Sequence, residues 1–212
     1  PPPHHSNAEA APAAPTTTTA SEASDHWEAV GTAVACRKNR GLPSLQPQQL
    51  AVLSSEQLRV MSAAVVSKLT TAQLAAFSVP ALSVGALNSQ QVGGLSSQQV
   101  MQLSTAQVAG LTPANVLGLT TQQLQLLSST QLGVLETAEV AALTSLQVRG
   151  LGTQQLLSLT TAQLAALSST NVKGLSSEQV AVLGSAKLAA LDTVDVAAFG
   201  SEQIRGLGTT QL

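Results

Sequence analysis

LSSQQVMQLSTAQVAGLTPANVLGLTTQQLQL, residues 95–126, is four near-copies of one eight-residue unit. Each copy opens on Leu (Leu95, Leu103, Leu111, Leu119). Ser or Thr follows at once (Ser96, Ser104, Thr112, Thr120). Gln or Asn stands fifth (Gln99, Gln107, Asn115, Gln123), and a second aliphatic residue stands sixth (Val100, Val108, Val116, Leu124). The same frame extends from Leu45 to Leu212 as 21 units. It slips once, at the ten-residue unit FSVPALSVGA (77–86), and the last unit, LGTTQL, has six residues.

Each position has a physical reason. The residue at position 2 suits a helix N-cap, whose side chain accepts from the exposed amides of the first turn. Position 5 is then the third helical residue, and Gln there completes a capping box. Positions 1 and 6 have the spacing of a hydrophobic staple across the helix start. Pro47 and Pro113 fall on the first helical position, where proline is favoured. The octad thus encodes one short helical turn with its own start signal. A small residue or Gly at position 8 is expected to let the chain bend into the next unit. A frame with the cap at position 3 conflicts with the two prolines.

One continuous helix is excluded by period. At about 100° per residue, an eight-residue repeat drifts by about 80° per unit, so no apolar stripe persists. Strands would need alternating or β-branched runs that the units lack. The fold class expected is all-α, a solenoid of tandem octads with one short helical turn each; a β-solenoid is the alternative. A single turn is unstable in water, so the units must stack. The expected apolar core includes Leu95, Val100, Leu103, Val108, Leu119, Leu124, Leu159, Leu164, Leu175 and Val180. Gln occupies position 5 in 14 of the 21 units. A polar ladder between neighbouring units is expected from Gln57, Gln73, Gln91, Gln99, Gln107, Gln123, Gln131, Gln147, Gln155, Gln163, Gln179 and Gln203.

The octads are not equivalent. Residues 87–142 align with 143–198, an offset of seven octads. Asn115 falls over Asn171, Gly118 over Gly174, and Glu136 and Glu139 over Asp192 and Asp195. Block duplication is one explanation. The other is geometric: two solenoid turns per seven octads give 3.5 octads per turn. Two or four octads per turn would leave duplication alone.

Composition narrows function. Charged residues are 9% of the chain, aromatic residues 1%, and the net charge is -2. Nucleic acid needs clustered Lys and Arg, which the repeats lack. No apolar run is long enough to span a membrane. Cys36 is the single cysteine, so no internal disulfide forms. Residues 1–24, rich in Pro, Ala and Thr, read as a flexible leader, and His4 and His5 there as solvated. Residues 25–41 read as an N-terminal capping helix. Asp25 and Glu28 form its start, Trp27, Val30 and Val34 one face, Arg37, Lys38 and Arg40 its end, and Gly41 its stop. Residues 45–212 are the solenoid. The chain opens on Pro1 and stops inside a repeat, as a fragment or processed product would.

No catalytic, cofactor-binding or metal-ligating constellation is read from the sequence, and no cofactor is expected. The Glu136/Glu139 and Asp192/Asp195 pairs occupy positions 2 and 5, where capping accounts for acids, while calcium asks for six to eight oxygens. The units LTTAQLAAL, LSTAQVAGL and LSSEQVAVL resemble octapeptide tracts of large bacterial exported and surface-associated proteins. That resemblance implies a repetitive stalk or fibre, extracellular or at the cell surface. The function expected is a structural rod, fibre or filament subunit, adhesive in some settings, and not an enzyme. Its expected partner is a second copy of itself. The alternative is a secreted effector or scaffold that offers a solenoid face to a host or surface protein.

Overall fold

The computed structural model describes residues 46–212, apart from 52, 79–83, 210 and 212. The expected leader, the capping helix, His4, His5 and Cys36 lie outside the described residues. Within them the chain is all-α. It runs as α-helices of four to six residues, interspersed with 3₁₀ segments at Ala76–Ser78, Val84–Ala86 and Val172–Gly174. Strands are absent among the described residues.

Position 2 caps the helices. Ser96 leads Ser97–Met101, Ser104 leads Thr105–Ala109 and Thr120 leads Thr121–Leu126, each from extended backbone and each accepting from the amide of the octad's fifth residue. Pro113 is the first residue of Pro113–Val116, capped by Thr112, and Pro47 opens Pro47–Leu50. Both prolines therefore sit where no amide hydrogen is missed.

Positions 1 and 6 build the core. Leu95, Val100, Leu103, Val108, Leu119, Leu124, Leu159, Leu164, Leu175 and Val180 are all buried in one continuous apolar column. The column needs tertiary stacking, because each helix packs chiefly on the helix three units away. Ser89–Gly93 packs on Pro113–Val116, Thr121–Leu126 on Ser145–Gly150, and Ser129–Gly133 on Thr153–Ser158. The fold is a repeat solenoid, each turn of which we call a coil. Later coils cover earlier ones: Val180 is fully buried, while Val196 and Ile204, in the last units described, are 42% and 51% exposed.

Position 8 works differently from the expectation of a bend. Gly94, Gly110 and Gly206 have φ values of -79°, -83° and -78°, ordinary right-handed geometry that any residue adopts. The demand is for space. A Cβ on Gly118 would lie 1.9 Å from the Ser89 carbonyl oxygen, and one on Gly174 1.8 Å from that of Ser145. These glycines let one coil's backbone touch the next.

Candidate functional site

The feature that joins the coils is the side chain at position 5. Gln99 shows its three tasks. Its backbone amide donates to Ser96 Oγ at 3.3 Å, and its Oε1 accepts from the Ser96 amide at 2.7 Å. Its Nε2 then donates to the carbonyls of Val66 and Leu69, at 2.8 and 2.7 Å, in the coil before. Those two carbonyls lie at and just beyond the end of the helix Ala63–Val66, where carbonyls lack the helical partner four residues on; that of Val66 also accepts from the Leu69 amide. One buried amide therefore closes the start of its own helix and the end of another.

The chain offset of these bonds measures the coil. Gln123 Nε2 reaches the carbonyl of Leu95, Gln147 that of Leu119, Gln155 that of Leu127 and Gln179 that of Leu151, always 28 residues back. Gln91 and Gln99 reach back 30 residues instead, to Met61 and Leu69. The difference is the two extra residues of the 77–86 unit. An offset of 28 residues is 3.5 octads, so seven octads close two coils. Geometry therefore accompanies the seven-octad repeat.

Two further features share one edge of the solenoid. Gly94, Gly118, Gly150, Gly174 and Gly206 follow one another at separations of three and four octads in alternation, which average 3.5. A Cβ on each would crowd Ala63, Ser89, Thr121, Ser145 and Ser177 respectively. One glycine per coil thus pinches the coils together along a single line. On the same edge Arg149 and Glu202, 53 residues apart, form a two-pronged ion pair at 3.0 and 3.2 Å. The hydrogen bond to Glu202, and next its charge, hold the Arg149 guanidinium above its ordinary value.

Of the ladder residues read from sequence, Gln91, Gln99, Gln107, Gln123, Gln131, Gln147, Gln155, Gln163, Gln179 and Gln203 all donate to carbonyls of the preceding coil. Gln57 and Gln73 accept from the capping amides of Ser54 and Thr70; the residues one coil before them fall outside the described part. Sequence reasoning missed four ladder members. Asn115 and Asn171 reach carbonyls at 3.2 to 3.3 Å. Lys187 donates to the carbonyls of Leu157 and Leu159, and Gln211 to those of Val180 and Leu183. Position in the octad, rather than residue type, was the signal that would have found them. The shorter Asn side chains occur in the two units where Gly118 and Gly174 bring the coils closest.

Acids hold position 5 twice. Glu139 is 7% exposed, and its Oε2 accepts from the Glu136 amide at 3.1 Å. Asp195 is 4% exposed, and its amide donates to Asp192 Oδ1 at 2.8 Å. Burial first, and then the neighbouring Asp192 charge, push the Asp195 carboxyl above its ordinary value of 3.8. Among the described residues no group of three or more His, Cys, Asp or Glu is placed to hold a metal ion. No helix there is long and apolar enough to cross a membrane.

Two stretches, 132–169 and 159–193, match the model of the ALTTAQ repeat family. The chain is in that respect similar to a known class of tandem repeat. No curated protein and no solved structure matches it.

Proposed function

We propose that this chain is a structural repeat protein whose solenoid serves as a stiff rod, a stalk or fibre element at or beyond a bacterial cell surface. The observation that supports it is the inter-coil ladder. Its members recur in nearly every octad from Gln91 to Gln211 and tie each coil to the one before through buried hydrogen bonds. Such an array adds length without a new core, because each unit contacts only its neighbours. Its polar surface is Ser, Thr and Gln, so the sides offer hydrogen bonding and little net charge. Association of copies into a filament, and adhesion through an end or a side, belong to the same reading and have the repetitive structure as their motive.

Small-angle scattering of the purified protein tests the rod. The expected pair-distance distribution is skewed, with a long tail and a cross-section that stays constant with concentration. A symmetric distribution of a compact particle would sink the proposal. The scaffold reading has its own motive, the edge on which Arg149, Lys173 and Arg205 each precede a close-contact glycine. Recovery of one stoichiometric partner that is lost when these three are reversed in charge would favour it.

A further inference from the structure

We propose that Asp195 is a proton-operated rung of the ladder, so that the solenoid tightens there when it is acidified. From Gln91 to Gln211 the position-5 side chains are donors to the preceding coil at every octad except Glu139 and Asp195. Both acids are as buried as the glutamines they replace. An ionised carboxylate has no hydrogen to donate. The carbonyls one coil back, those of Leu111 and Leu167, accordingly accept no hydrogen bond among the described residues.

A protonated Asp195 carboxyl supplies the missing donor, its O–H meeting the Leu167 carbonyl. Its side chain is one methylene shorter than Gln, yet Asn115 and Asn171 reach their carbonyls with that same length. Few other charges compete. One coil beneath Asp195, residues 161–171 carry no titratable group. Lys187, in the unit before Asp195, is engaged with the carbonyls of Leu157 and Leu159. Asp192, which caps the helix, adds a like charge beside the rung.

The sign follows from linkage. A carboxyl whose folded value is raised contributes stability that is present below its unfolded value and lost as pH rises through the folded value. For Asp195 that window opens at 3.8 and extends upward. Amide hydrogen exchange on the full chain at about pH 7 and about pH 3.5, expressed as protection factors, reads each coil separately. Protection within Thr193–Ala197 is expected to rise roughly 2- to 10-fold on acidification, as one added hydrogen bond implies. Ser97–Met101, which has Gln99 as its rung, is expected to stay level. The variant Asp195→Asn should show the acid level of protection at both pH values. Protection within Thr193–Ala197 that falls with acid, or an Asp195→Asn variant with the wild-type pH response, overturns the proposal.

Discussion

At the scale of the residue, one amide carries three duties that sequence reasoning could only partly separate. The capping box between positions 2 and 5 is legible because both partners lie within one octad. The second half of the glutamine's role is not, since the carbonyls it meets are a whole coil away and any residue can present a carbonyl. Gln123 illustrates the energetics. Its side chain accepts from the Thr120 amide and donates to the carbonyls of Leu95, Gly93 and Val92. Gln123→Leu is close in size and leaves the Thr120 amide and the buried Leu95 carbonyl without these partners, while the Val92 carbonyl keeps the Leu95 amide. Each such group costs about 1–3 kcal/mol when left unpaired, so the variant is expected to lose about 2–4 kcal/mol in urea denaturation. A loss within about 0.5 kcal/mol, the range of ordinary surface changes, would mean that the apolar column alone holds the coils.

At the scale of the element, the helices are too short to persist alone, and their identity comes from caps, staple and stacking together. The octad's signals agree with one another, which is why the all-α fold and the boundaries near Ser97, Thr105 and Thr121 could be read in advance. Position 8 could not. From sequence its glycines look like chain bends, because conformational freedom is the usual reason for Gly. In the fold they answer to a steric demand set by another coil, which is invisible to any local pattern. Two glycines separate these causes. Gly118 faces the Ser89 backbone at 1.9 Å from a notional Cβ, whereas nothing lies within 4 Å of one at Gly133, the last residue of Ser129–Gly133. Gly118→Ala is expected to destabilise by at least about 1–3 kcal/mol, as overpacking does. Gly133→Ala should stabilise by about 0.5–1 kcal/mol through helix propensity. Thermal melts of the two variants that shift in the same direction would contradict the assignment.

At the scale of the whole molecule, the seven-octad period is where sequence and geometry meet. Seven octads look like an arbitrary duplicated block until the offset of the ladder makes them two coils. The spacing of Gly94, Gly118, Gly150, Gly174 and Gly206 then reads as one glycine per coil, with 3.5 octads rounded alternately to three and four. Excision tests this phasing. Removing residues 143–198 takes out two whole coils and returns every glycine to its edge, so the shortened chain should melt cooperatively with an unchanged helical spectrum. Removing only 143–150 shifts every later unit by one octad around the coil and brings Val182 to the close approach that Gly174 occupies. The smaller excision is therefore expected to lower the melting temperature more than the larger one. The most direct test of the coil itself is nuclear Overhauser contacts from the side-chain amide protons of Gln123, in a chain labelled at glutamine. The 3.5-octad solenoid predicts contacts to Leu95 and Val92, 28 and 31 residues earlier. Contacts to residues two octads earlier, or to none beyond Gln123's own octad, would contradict it.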